Sequence, residues 1–445
     1  MQIFIQDGYI AFEEILTAVY DGDFMLHFRK FFTYFPPLFV AMRALANVPL
    51  EKDDLHPEQH LLSDVSEPFL FVDSRNGLTG NWGGARSDMR ASGIDFHGSY
   101  AINAAANAGG RSQGATQASS FQADLTFDLE QLCSLPYCEL FISGAYRFGR
   151  NLAALRIGNT FSVQQVFGGQ TIRLIDLYLA CKIPELLMVK IGRINTGEDF
   201  QISPLFSQFM NNSFNGNPII PNFNFLFSVF PVSTWGAYCS FYPLPKVCWK
   251  TGIYQNNPRI FANETHGVYF RFTPSLGALV YTEASCVVDH FASYSATYKV
   301  GGAYSTGRTN RVLKPDVRGN YELYLQWEQT IAFEERRRFL SPFFTFLYFP
   351  ADRNLFSYFY MLGFQGLGWV PAREKDGIHV GFSQGLFSKK LGTGQTFEGA
   401  FELNYKAQIT SYFYLQPNLQ YVLRPAGYRN RTNALVFGLQ SECIF

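Results

Sequence analysis

Charge is scarce in this chain. Asp, Glu, Lys and Arg make up 16% of its 445 residues, against roughly 25% in an ordinary soluble protein. The formal net charge is +0, which leaves no global field to recruit nucleic acid. Beyond the amino-terminal region no uninterrupted apolar run reaches about 18 residues, so transmembrane helices are excluded there. The seven histidines have no metal-ligand spacing, and no residue pattern asks for a cofactor. No self-similarity at a period of 20–50 residues points to a propeller or solenoid. What is plentiful is aromatic side chain, with 46 Phe and 25 Tyr, alongside 38 Gly. An aromatic-rich, charge-poor and helix-poor composition is an all-β signature.

Alternation carries the next step. In 397–409 (FEGAFELNYKAQI), Phe397, Phe401, Leu403, Tyr405 and Ile409 are odd, whereas Glu398, Glu402, Asn404, Lys406 and Gln408 are even. That is a strand with one apolar and one polar face. After Thr410-Ser411 the pattern repeats through Tyr421, and the last segment ends on Phe445. Similar alternation recurs back to Ile94, as in FQADLTFDLE (121–130) and YELYLQW (321–327). Short connections such as 183–185, 243–246 and 410–411 alternate with long polar ones such as 108–117, 149–170, 195–232 and 256–277. The count is about sixteen strands with both ends on the short-turn side. These features predict a transmembrane antiparallel β-barrel over 94–445, with outward apolar and inward polar residues.

The amino-terminal region is organised differently. Residues 25–46 read as a secretory signal peptide: Arg29-Lys30, an apolar run from Phe31 to Met42, and Ala44-Leu45-Ala46 as the cleavage site. Translation is then expected to begin at Met25, with 1–24 a gene-model extension or tag. Residues 47–80 form an acidic segment, and 81–93 a short helical one opened by Trp82-Gly83-Gly84 and closed by Gly93.

Several stretches together resemble one family. RNGLTGNWGGARSDMRASGIDF (75–96), FISGAYRFGRNL (141–152), NNSF (211–214), TYKVGGAYSTGR (297–308), RGNYELYLQ (318–326), ADRNL (351–355) and FELNYKAQITSYFYLQPNLQYVLRPAG (401–427) resemble, in this order, the carbohydrate-selective OprB-type porins. The resemblance covers about 78–445. It implies a 16-stranded barrel in the outer membrane of a Gram-negative-type bacterium, surrounded by lipid. That barrel passes small sugars, monosaccharides among them, by passive diffusion and is not an enzyme. It also implies that the long third loop folds into the lumen and that Phe445 is the aromatic end read by the barrel assembly machinery. The chain departs from the family at Ala180-Cys181, where the resemblance implies polar or acidic residues.

Candidate channel residues follow. The third loop, 195–232, carries Glu198, Asp199, Gln201, Asn211, Asn212 and Asn215 among Phe206, Phe209, Phe214 and Phe223. Amides and carboxylates exchange hydrogen bonds with sugar hydroxyls, and rings stack on the apolar face of a pyranose. Strand parity puts Asp124, Asp176, Lys190, Glu322, Glu398, Glu402 and Lys406 on the inner face, where they are expected to meet water. Lipid-facing Lys or Arg would cost roughly 2–4 kcal/mol at the midplane. Arg147, Arg150 and Arg193 sit near strand ends and are placed to form a basic ladder opposite the carboxylates.

Seven cysteines are many for such a barrel, and all fall on the short-turn side. Cys133/Cys138 and Cys239/Cys248 flank short turns and are candidates for local disulfides. The odd number leaves at least one thiol free or paired with another envelope protein; the alternative is buried free thiols.

Three other readings stay open at this point: a general or anion-preferring porin of the same fold, a barrel enzyme, and a secreted structural or adhesive β-protein. The enzyme reading has one motif, Gly381-Phe382-Ser383-Gln384-Gly385. A nucleophile elbow needs a strand, a sharp turn and a helix, and this stretch alternates as a strand. The run Glu334-Glu335-Arg336-Arg337-Arg338 reads as a solvated turn.

Overall fold

Along each of the last segments, side chains alternate between an exposed apolar row and a buried polar row. Phe401, Leu403 and Ile409 are exposed, whereas Glu398, Glu402 and Asn404 are buried. This inversion of the soluble pattern is stable only where the outside is lipid. The computed structural model describes residues 77–290, 294–308, 318–333 and 337–445. The expected extension, signal peptide and most of the acidic segment lie outside the described residues, as do Glu334, Glu335 and Arg336.

Sixteen antiparallel strands close on themselves in sequence order. The first eight are β1 (Ile94–Gly109), β2 (Gly114–Asp128), β3 (Cys138–Gly149), β4 (Thr171–Ile183), β5 (Leu187–Ile194), β6 (Thr234–Leu244), β7 (Val247–Gln255) and β8 (Ala278–His290). The second eight are β9 (Tyr294–Arg308), β10 (Arg318–Phe333), β11 (Arg338–Tyr348), β12 (Phe356–Leu367), β13 (Gly377–Phe387), β14 (Phe397–Thr410), β15 (Phe413–Leu423) and β16 (Ala434–Ile444). The seam joins β1 to β16, from Ser99 opposite Ile444 to Gly109 opposite Ala434. The strands run longer than their alternation suggests. The expected 108–117 loop is a link of only 110–113.

Two short helices flank the barrel. The first, α1 (Ala85–Ala91), lies beside β1 and holds Arg86, which is buried. The Arg86 guanidinium donates to the backbone oxygens of Phe96 (2.9 Å) and Phe445 (2.7 Å), and stacks over Trp82. The backbone N–H of Leu78 donates to Ile444 (2.8 Å). The segment before β1 is thus bonded to the end of β16. The second helix, α2 (Leu129–Cys133), occupies the β2–β3 turn and is capped by Asp128, whose carboxylate accepts from Glu130 N at 2.9 Å and Gln131 N at 3.3 Å.

One part of the wall is not built from paired strands. The β4–β5 pairing stops at Leu177 opposite Arg193, because the chain turns inward after Ile194. Residues 171–176 therefore have no β5 neighbour, and the 256–277 loop takes its place. Leu174 N donates to His266 O (2.9 Å), and Arg173 donates to Ile260 O (2.7 Å) and Ala262 O (3.0 Å). Gly267, at φ +75°, lies so close that a Cβ there would come within 1.9 Å of Leu174 O.

The cysteine expectation needs correction. Cys138 is bonded to Cys181, its direct neighbour across β3 and β4, with Cα atoms 4.1 Å apart. Cys133 is left free in α2, its thiol directed at Leu129 O. Cys239 and Cys248 are also free. Inward residues of β6 are Tyr238 and Ser240, so Cys239 points outward. Inward residues of β7 are Lys250 and Tyr254, so Cys248 points inward. Two thiols on opposite faces of a sheet cannot bridge.

Candidate functional site

The 195–232 loop starts with a local turn that fixes its first two acids. Asn195 accepts Gly197 N (3.0 Å) and donates to Glu198 (3.1 Å), while its own N–H donates to Asp176 (2.9 Å). Asp199 then turns to the wall. It pairs with Lys190 at 2.8 Å, both buried, and accepts from Tyr254 at 3.2 Å. The Lys190 ammonium lies 5.3 Å from the rings of both Tyr178 and Tyr238. Lys190 and Asp199 are therefore a closed ion pair.

From Gln201 onward the segment binds inward side chains of successive strands. Gln201 N donates to Glu283 (3.2 Å) and its side chain to Glu322, which also accepts from Tyr281 (2.7 Å). Ser203 donates to Glu328, and Lys299 donates to Ile202 O at 2.6 Å. Gln208 O accepts from Asn404 (3.1 Å) and Gln416 (2.6 Å), and its side chain accepts from Lys406 (3.2 Å). The amides of Met210 and Asn211 both donate to Glu402 at 2.8 Å, and Ser383 donates to Ser213 at 2.7 Å. Every one of these wall residues lies on the inner face of its strand, so this stretch of the loop is bonded to inward-facing side chains. Ser383 lies mid-strand, hydrogen-bonded to a loop serine, so its motif is not a nucleophile elbow.

These bonds correct the expectation that the parity-placed charges meet water. All of them point inward, but Glu322, Glu398 and Glu402 have no exposed surface, and Asp176 and Lys190 almost none. The loops cover them. The aromatic expectation changes in the same way. Phe206, Phe209 and Phe214 are fully buried: Phe209 and Phe214 stack at 4.6 Å, and Phe206 meets Phe343 edge-on at 5.2 Å. Their faces are filled by one another. Asn211 is likewise buried, its amide donating to Gln420 at 2.8 Å. Asn212 is half-buried, with its N–H on Ser162 O (2.8 Å).

Nor do the three arginines form a ladder. Arg147 is buried with its guanidinium 4.6 Å from the Phe230 ring. Arg193 is buried and donates to the carbonyls of Tyr269 (2.7 Å) and Ser233 (2.9 Å). Arg150 is exposed at the end of β3.

A different polar group stands on β1–β3. Asp124 accepts from Ser143 (2.6 Å) and from Gln122 (3.0 Å), and lies 3.6 Å from the His97 ring nitrogen. Glu198 is half-buried. Burial pushes its pKa up to about 7, against the pull of Lys190, with Asp199 and Asp124 adding to the rise. Sequence reading also missed a row of alternating charge beneath the loop. Lys250 lies 3.5 Å from Glu283, and Lys299 lies 3.5 Å from Glu328. The signal was available: each of the four alternates with outward apolar residues, as Lys250 does with Trp249 and Lys299 with Tyr298 and Val300.

Comparison with known proteins agrees with this architecture. Residues 112–445 match the model of the family described as "Carbohydrate-selective porin, OprB family". The chain is 28% identical over 426 residues to Porin B of Pseudomonas aeruginosa, covering 84% of this chain and 92% of that protein. It is 24% identical over 420 residues to the putative porin QuiX of Acinetobacter baylyi, covering 84% of this chain and 94% of that protein. The high-pH structure of Pseudomonas putida OprB superposes with a TM-score of 0.76 at 25% identity, over 83% of this chain and 98% of that one. The low-pH structure of that protein gives 0.58 at 21% identity, over the same shares. A closed sixteen-strand barrel, a polar interior and a family match over three-quarters of the sequence lead to one assignment: the chain belongs to the OprB family of carbohydrate-selective porins.

Proposed function

We propose that this chain is an outer-membrane channel through which small neutral sugars diffuse passively. The supporting observation is how its interior charge is used. Lys190 is neutralised by Asp199, Lys250 by Glu283 and Lys299 by Glu328, all inside the protein. With these three ammonium groups paired, hydroxyl and amide groups are left to meet polyhydroxylated, uncharged solutes. The half-exposed His97 and Gln122, with Glu198 acting on Asp124 beside them, form the wall along which sugar hydroxyls exchange hydrogen bonds. Fold and family both indicate a channel rather than an enzyme.

Liposome swelling tests this reading, using monosaccharides beside anions and cations of equal size. Sugars are expected to enter faster than either ion. Equal rates would replace the reading with a general pore, and faster anion entry with an anion-preferring one.

Two partners complete the proposal. Phe445, whose ring lies 6.0 Å from Phe121, is the end read by the assembly machinery. Cys133, exposed on the β2–β3 turn, is the thiol placed to bond another envelope protein. Unchanged gel mobility of envelope preparations on reduction would remove the second of these.

A further inference from the structure

We propose that Glu402 is the positioning residue that fixes the calibre of the channel, and that Glu398 separately tethers the loop at its entrance. This rests on the channel reading. The two carboxylates are four residues apart on one face of β14, about 13 Å at a rise of roughly 3.3 Å per residue. Each is fully buried. Each receives consecutive backbone amides from a different loop.

Glu402 holds the 195–232 loop at its elbow. One carboxylate oxygen accepts from Met210 N (2.8 Å), Asn404 Nδ2 (2.9 Å) and Asn418 Nδ2 (2.6 Å), and the other from Asn211 N (2.8 Å). The neighbouring strand is shaped for the apolar side of the same elbow. At Gly381 a Cβ would come within 2.8 Å of the Phe209 ring and 3.0 Å of the Phe214 ring. The elbow is thus hung by its amides on β14 and pressed by its rings into β13.

Glu398, nearer the long-loop end, holds the 150–170 loop. It accepts from Thr160 N (2.9 and 2.8 Å to its two oxygens), from Phe161 N (2.7 Å) and from Ala426 N in the last loop. The two loops also touch, through Gln165 N to Met210 O (2.9 Å) and Asn212 N to Ser162 O (2.8 Å).

Only a carboxylate fits either position. Converging N–H donors need an oxygen on both branches, and a carboxamide would turn its own donors against them. Parity alone would make these acids pore charges. The bonds make them the fasteners that decide how far each loop projects.

The test uses the full chain in liposomes, with glucose, sucrose and raffinose as probes. Glu402→Gln is expected to raise the sucrose-to-glucose and raffinose-to-glucose rate ratios several-fold. Glu398→Gln is expected to change all three rates together and leave the ratios near wild type. A Ser213→Cys/Ser383→Cys disulfide, built where the two hydroxyls lie 2.7 Å apart, should return the Glu402→Gln ratios toward wild type. Generalised loosening of the fold would show no such rescue. If Glu402→Gln does not assemble, Glu402→Asp, too short to span both amides and both carboxamides, should shift the ratios in the same direction. Unchanged ratios in whichever of these variants assembles, or an equal shift in Glu398→Gln, would overturn the proposal. A failure of sugar preference over ions of equal size would leave this size comparison intact.

Discussion

The inner faces of β14 and β2 carry the same kind of residue, acids and amides at alternate positions, yet meet different neighbours. Glu402 receives two backbone amides from an incoming loop and two side-chain amides. Asp124 is served by side chains of its own and adjacent strands, Gln122, Ser143 and, at 3.6 Å, His97. Where a loop backbone arrives, a polar inner residue becomes scaffold. Where none does, it remains wall. The β7–β10 and β13–β15 side therefore supports the 195–232 loop, and the β1–β3 side is the half that the proposed channel leaves to solute.

The largest expected break in this contrast is at the root of the loop. Asp199→Ala strands the Lys190 ammonium in a buried site, which costs about 3–5 kcal/mol. The temperature of the heat-modifiable gel transition should fall sharply, and an unchanged transition would refute the closed-pair assignment. Next is the seam. Arg86→Ala removes charge-assisted bonds to the backbone oxygens of Phe96 and Phe445, worth about 1.5–3 kcal/mol each, and should lower the same transition by a comparable amount. A smaller effect sharpens the solute-facing half. With its pKa near 7, Glu198 is mostly neutral below that pH and charged above it. Cation-over-anion selectivity in planar bilayers should therefore rise as pH increases from 6 to 8. Glu198→Gln should flatten this dependence at the low-pH value. Smallest of all, Ser143→Ala removes a single bond to the Asp124 carboxylate and should change stability by about 1.5–3 kcal/mol, read in the same transition. A loss as large as that of Asp199→Ala would place β3 in the supporting half.

The strands were legible because lipid and lumen impose a period of two on every one of them. That period placed Glu398, Glu402 and Lys406 inward and made the sixteen-strand barrel readable. It does not say what covers an inward residue, because loop paths follow from contacts across the barrel. Asn211 meets Gln420, and Phe206 meets Phe343, at separations no local pattern encodes. Hence Phe214 read as a sugar platform and is packing. The Cys138–Cys181 pair depends on register between β3 and β4. The separation of Cys239 from Cys248, by contrast, was legible: Tyr238 and Ser240 bracket Cys239 on one strand, and Lys250 follows Cys248 at the same parity on the next.

The bonding of the segment around Leu78 and Arg86 to Ile444 and Phe445 has a consequence for how the chain can be cut and rejoined. Residues 78 and 445 are already neighbours, so the break between β16 and β1 is a convenience of synthesis more than a property of the barrel. A circular permutant joining 445 to 77 through a short linker, and opening at 184–186, should keep every strand neighbour. Its Phe445 would still pack on Phe121 but would no longer end the chain. Surface assembly of that permutant would therefore separate the packing of this aromatic ring in the seam from the terminal role proposed for it.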